Sequence, residues 1–443
     1  MKRLNLLLAF CLALGFAAPG IAQSESCTPL VRNTLAAVDR DCRDTDRNQA
    51  CYGHLLLDVV TRAPGLRFER AGDIVELAQI ESLTTHALDE AAGVWGVVLL
   101  RVQANLPESL PGQNTTFVLF GATTLKNEVS SAVSDAPTLS AFAARRINVR
   151  SGPGTNFTVL GALEANAEIT LKGRNAAGDW AQIVFEGQPA WVFVELLTVD
   201  GPVMDLAVVE AGAVYSAPMQ AVRFSSGVGP STCSAAPADG LLIQAPSGLT
   251  VDFLINGIEV SVGSTALLRT PRPNVLRVLN IEGTVRLRSG GETVTLLPGQ
   301  AVNLREGEAP GAVEVYTLDE GRNLPLRVLP EAVGVPPVIY AIDTYDVIGN
   351  NEAHDFPITF GNGDGDAITG IQQTLVRASS GTWSSGLIAI DESRYDDPFG
   401  GELYYYMRCN ATRAMTITYD VSLVDAAGNS SPPYRYTITC SPP

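Results

Sequence analysis

Histidine is scarce in this chain: 443 residues contain three, His54, His86 and His354. None lies in a His-Glu-x-x-His motif and no Gly-x-Ser-x-Gly accompanies them, so histidine-based nucleophilic or zinc-hydrolytic chemistry has no sequence support. Acid pairs such as Asp396-Asp397 lack any companion motif and read as solvated charges. No Gly-x-Gly-x-x-Gly or phosphate loop stands between a strand and a helix, which removes the common nucleotide-binding arrangements. Basic residues are also in deficit. Thirty Lys and Arg against 47 Asp and Glu give a formal net charge of −17. A chain of that sign repels phosphate backbones and anionic membranes, so nucleic acid is excluded as a partner. The chain reads as non-enzymatic, with no resident organic cofactor.

Long apolar runs are missing except at the N-terminus, where Lys2 and Arg3 precede an apolar stretch over residues 4–18 and Gly20-Ile21-Ala22 supplies small residues. That pattern predicts a secretory signal over residues 1–22, too short for an anchor. Its removal takes Lys2 and Arg3 away, and −17 becomes −19. The mature protein is expected to be secreted or on the extracellular surface, with no membrane insertion. Cys11 follows Leu8-Ala9-Phe10 and Cys27 follows Ser24-Glu25-Ser26, and neither run is read as a lipoprotein signal. Loss of Cys11 leaves six cysteines, an even number suited to an oxidising compartment. Cys409 and Cys440, alone in the last region, are expected to pair. Cys27, Cys42, Cys51 and Cys233 allow three connectivities, and Cys42, Cys51 and His54 offer a zinc alternative.

What is abundant is turn chemistry. Forty-one Gly and 27 Pro stand beside 46% hydrophobic residues, which points to several mainly β modules. Residues 26–134 read as a small α+β domain: residues 29–38 have helical spacing (Leu30, Thr34, Leu35, Val38), and Ile74, Leu77, Ala78 and Leu83 suggest a second helix over 73–88. Strands are expected over 94–102 and 116–120, and a Ser-, Ala- and Pro-rich linker over 129–140.

The next module carries Asn148-Val-Arg150-Ser-Gly-Pro-Gly154, then Gly178-Asp179-Trp180, then Ala190-Trp191-Val192. This order and spacing resemble the bacterial SH3-like (SH3b) domain over residues 141–199. The resemblance implies a small barrel that binds a cell-wall or extracellular polymer or peptide. Gly152-Pro153-Gly154 forms the turn, with glycines free to take positive φ. A groove would use Asn148, Arg150, Asp179 and Trp180, unless Trp180 is a core residue instead.

Residues 203–330 contain the clearest hairpin, 251–255 and 258–262 about an Asn256-Gly257 turn. Within it, Ile281-Glu-Gly-Thr-Val285 and Leu297-Pro-Gly-Gln300 resemble the FecR-type sensor domain, which implies an alternative role as an extracytoplasmic sensor or accessory protein. Residues 335–443 offer six strand candidates and a turn at Asp425-Ala-Ala-Gly-Asn429, as in an Ig-like β-sandwich. Asn362, Asp364 and Asp366 place oxygen ligands at alternate positions. Ala367 and Gln373 replace the glycine and glutamate an EF-hand needs, which leaves either a polar turn or a weak calcium site completed by distant carboxylates.

Overall fold

In the computed structural model, residues 27–441 are described apart from 63–64, 107–112, 130–137, 186–187, 210–216, 229–230, 232, 234, 344–346, 349–352, 380–384 and 409–413. The chain is mainly β and multidomain.

The largest body is a two-sheet sandwich built from both sides of the SH3-like segment. Its nine-stranded sheet runs, in spatial order, Glu314–Val315, Gln300–Leu304, Val275–Glu282, Thr265–Arg272, Gly240–Gln244, Thr115–Phe120, Val97–Val102, Gln49–His54 and Ile74–Glu76. The halves meet where Thr115–Phe120 pairs antiparallel with Gly240–Gln244, Val118 opposite Leu242. In the facing eight-stranded sheet they meet again: Thr123–Asn127 pairs with Ala221–Ser226, Leu125 opposite Phe224. The expected separation of residues 26–134 from 203–330 is therefore corrected. The two segments share both sheets, so the strands between Gly240 and Leu304 are completed by strands from the N-terminal half.

Burial explains the sequence of the shared strands. Thr115–Phe120, TTFVLF, is buried at every position, because one face meets the inter-sheet core and the other meets a covering layer. A strand covered on both faces has no reason to alternate. Phe117 points inward to Phe253, ring centroids 5.0 Å apart. Val118 and Phe120 point outward into a second core, which the helix Cys27–Asp41 closes with Val31, Leu35 and Val38. That helix matches the expected one. The second expected helix does not form: Ile74–Glu76 and Ile80–Thr85 are strands joined by the 3-10 turn Leu77–Gln79. Its helical spacing coexists with a strand reading, Ile80, Leu83 and Thr85 being buried around a short kink, and pairing with neighbouring strands wins over local periodicity.

Disulfides Cys27–Cys233 and Cys42–Cys51 tie the helix to the second half and to the first strand. This removes the zinc alternative, and His54 instead places Nδ1 3.1 Å from the Trp95 carbonyl. Cys440 is buried and disulfide-bonded, while its expected partner Cys409 lies outside the described residues. So do residues 1–22 and most of the expected linker, whose end is already strand Leu139–Ala143. On the nine-stranded sheet, the buried Arg277 donates from Nη2 to Glu320 at 3.0 Å and from Nη1 to Glu314. Burial alone would raise the Glu320 carboxyl, but the Arg277 guanidinium and the Thr317 N–H outweigh it and hold it below the usual carboxylate range.

The SH3-like segment forms a five-stranded and a three-stranded sheet between Leu139 and Val199, around Val149, Leu171, Ile183 and Val192. It is inserted between Thr123–Asn127 and Ala221–Ser226, which are neighbours in one sheet. Because the chain leaves and re-enters at adjacent strands, the insertion leaves the sandwich ladder unbroken.

The C-terminal body is contiguous. Val338–Ile342, Ala353–Gly361 and Gly400–Arg408 face a five-stranded sheet of Val347–Ile348, Tyr434–Cys440, Met415–Asp425, Ile368–Ala378 and Gly386–Ala389. Met415–Asp425 buries every second residue, the period expected of a sandwich strand. Phe356, Ile358, Leu403, Ile417 and Leu423 fill the core.

Candidate functional site

The SH3-like module places its four expected ligand residues apart. Asn148 projects outward from strand Ile147–Arg150. Arg150 lies on the same strand, but its guanidinium donates to the carbonyls of Thr155 and Phe157 at 3.0 and 2.8 Å, closing the turn that follows. Gly152 and Gly154 are not among the positive-φ residues, which corrects the expected reason for glycine there. The Phe157 ring lies so close that a Cβ on Gly152 would come within 2.2 Å of it. Glycine is required by contact.

Asp179 accepts from the Asn175 amide at 2.6 Å, within a turn that Gly178 completes at φ 77°. Trp180 is only 7% exposed and packs with Trp191, Phe193 and Val209. Val209 reaches it because the exit segment folds back, Val209 N–H donating to Arg174 O at 2.7 Å. Of the two readings of Trp180, groove wall or core residue, its burial is that of a core residue. Strand Gln188–Phe193 also separates the Arg150 strand from the Trp180 strand. Large apolar side chains of the module are exposed at Phe142 and Val184 and, side by side, at Val159 and Leu160 on the edge strand Val159–Leu163. A bulge between Val159 and Gly161 leaves Val159 and Leu160 47% and 42% exposed, next to the turn that carries Phe157. An edge strand with solvent-facing apolar side chains offers both unpaired backbone groups and apolar area to an extended ligand.

A cleft of about 970 Å³ opens on the central sandwich beside the turn between Thr265–Arg272 and Val275–Glu282. Buried Phe224, Ile258, Leu276 and Leu304 contribute apolar lining, and Lys126, Arg223, Arg272, Arg305, Glu306 and Glu308 are its charged side chains. Arg223 donates to Glu306 at 2.8 Å and Glu128 at 2.9 Å, and this contact keeps the Glu306 carboxyl below its ordinary range. Arg272 pairs with no acid among the described residues. Sequence reasoning missed this cleft, because its walls come from segments on both sides of the inserted module.

In the C-terminal sandwich, the loop carrying Asn362, Asp364 and Asp366 meets the turn after Met415–Asp425. One carboxylate oxygen from each of Asp364, Asp366 and Asp425 lies within 4.8 Å of the others. Asp425 accepts from Asn429 N and Nδ2 at 2.8 and 2.9 Å, and Asp364 accepts from Asp366 N and Val335 N at 3.1 and 3.3 Å. Burial, and then the neighbouring charges of Asp366 and Asp425, push the Asp364 carboxyl up. Asp425 was legible only as a turn residue; its approach to Asp364 is a tertiary contact. Of the histidines, His86 places Nε2 2.8 Å from Asp58 at the surface.

Comparison with known proteins places residues 145–198 in register with the bacterial SH3 domain. No curated protein matches the chain. Among solved structures, a point mutant of the SrpA adhesin of Streptococcus sanguinis is similar at 14% identity and TM-score 0.18, over 24% of this chain and 58% of that one. Fibronectin(III)-like modules of Clostridium thermocellum CbhA align at 12% identity and TM-score 0.16, over 46% and 85%. The sialic acid binding region of a Streptococcus sanguinis SK1 adhesin aligns at 11% identity and TM-score 0.18, over 74% and 73%.

Proposed function

We propose that this is an exported, non-enzymatic binding protein that attaches to a cell-wall or extracellular polymer or peptide through its SH3-like module. The observation that carries this reading is the bacterial SH3 match on a module inserted into a disulfide-tied sandwich, with Val159 and Leu160 exposed on an edge strand. An extended ligand would lie along that edge, using backbone hydrogen bonds for affinity and the apolar side chains for selectivity. The N-terminal signal pattern and the disulfides support export.

The test is retention of the full chain on purified peptidoglycan and on whole cells. Val159→Asp with Leu160→Asp should reduce retention at least about tenfold while leaving the melting profile intact, since exposed substitutions cost little stability. Arg272→Glu, in the central cleft, should leave retention unchanged. If Arg272→Glu abolishes retention and the edge variant does not, the sandwich reads the ligand and the proposal fails.

A further inference from the structure

We propose that Asp364, Asp366 and Asp425, with the buried amide oxygen of Asn362, form a calcium site at the end of the C-terminal sandwich that faces the central body. Three observations carry it. The first is geometry: the three carboxylate oxygens lie within 4.8 Å of one another. Ligands held about 2.3–2.6 Å from one calcium ion can be no more than about 5 Å apart, and these three oxygens meet that limit.

The second is uncompensated charge. Among the described residues none of the three carboxylates pairs with a lysine or arginine, although Asp425 is only 1% exposed. Their internal hydrogen bonds to Val335, Asp366 and Asn429 leave carboxylate lone pairs unused. The third is Asn362, fully buried, whose side chain folds over this same loop and donates from Nδ2 to Asp366 O at 2.6 Å. Its Oδ1 has no partner. A buried acceptor without a donor is a defect that a cation would remove.

A polar turn explains the Asp364 to Asp366 contact. It explains neither why Asp425, from another strand, is brought against both, nor the unpartnered Asn362 oxygen. The donor set is all oxygen, without cysteine or histidine, which selects a hard cation. An irregular set of loop carboxylates and an amide suits calcium better than magnesium, which demands near-ideal octahedral geometry. Exposure falls from Asp364 at the surface through Asp366 to Asp425 at the base, giving the ion a way in.

The experiment is calorimetric unfolding of the full chain stripped with EDTA, then titrated with CaCl2 in constant ionic strength. A dissociation constant of about 10⁻⁴–10⁻³ M is expected, with a rise of at least about 2 °C in one transition at about 10 mM calcium. Asp366→Asn is the diagnostic variant, because its carboxylate accepts no hydrogen bond among the described residues. It should unfold at or slightly above the wild-type temperature in EDTA, since like-charge repulsion is relieved, and should lose the calcium response. Asp364→Asn should behave the same way. An absent calcium shift in the wild-type protein, an equal shift with magnesium, or a full calcium response in Asp366→Asn would each overturn the site.

Discussion

The two sandwiches solve the same packing problem with opposite chain economy. The C-terminal one uses a single contiguous stretch, whereas the central one joins segments on either side of an inserted module and fastens them with a disulfide spanning 206 residues. Both close an apolar core between two sheets, so their core chemistry is alike. The difference lies in the loop closure needed before strands can pair: Thr115–Phe120 must find Gly240–Gln244 across the whole SH3-like module. Such distant pairing is entropically costly and slow, which is where a covalent tie contributes most.

The largest expected effect tests that tie. Replacing Cys27 and Cys233 by alanine should destabilise the central sandwich by about 5 kcal/mol on the chain-entropy account. The C-terminal transition should stay in place, and calorimetry of the variant checks both. Equal loss in the two bodies would show that they unfold as one unit and break the contrast.

Next comes the module between them. Trp180→Ala should cost about 3 kcal/mol, since it empties the small cluster with Trp191, Phe193 and Val209, while the folded fraction keeps its ligand. The same cluster sharpens the module's boundary. A fragment over residues 141–199 lacks Leu206 and Val209, both buried against the module, whereas one over 138–209 retains them. Each lost side chain removes about 1.5–3 kcal/mol of burial, so the shorter fragment should melt markedly lower.

The smallest effects concern pH, and they have opposite signs in the two sandwiches. Glu320 is held below its ordinary value, so its contribution is present above the unfolded carboxylate range and is lost as pH falls through the lower folded value. Glu320→Gln should therefore destabilise the central sandwich at neutral pH, with the penalty fading toward pH 3. Asp364 is held above its ordinary value, so its stabilising contribution exists only below the unfolded range and is lost as pH rises through the folded one. In EDTA, Asp364→Asn should be stabilising at neutral pH, and that advantage should fade in acid. Unfolding of both variants across pH 3–7 measures the two slopes, and slopes of the same sign would contradict the electrostatics described.

Local features of the chain were readable from sequence alone. The hairpin Val251–Ile255 to Ile258–Val262 forms with Ile255 opposite Ile258, because Asn256 and Gly257 take the positive φ their turn needs. The helix Cys27–Asp41, the barrel segment and the strands of the last hundred residues were legible for the same reason: their period and turns are set within a few residues. The site was legible only in fragments. Arg150 and Trp180 belong to the SH3-like pattern, but one is used to close a turn and the other is covered by Val209. Asn362, Asp364 and Asp366 were visible as a polar loop, while Asp425 could not be assigned to it.

By itself, then, the order of residues determined the mainly β character, the acidic surface and the SH3-like module, because each depends on composition or on spacing along the chain. Tertiary structure alone decided that two segments fold as one sandwich, that Trp180 is interior, and that Asp425 meets Asp364. Those outcomes depend on which distant strands pair and on which segment covers a face, and a side chain's chemistry does not encode its distant neighbour.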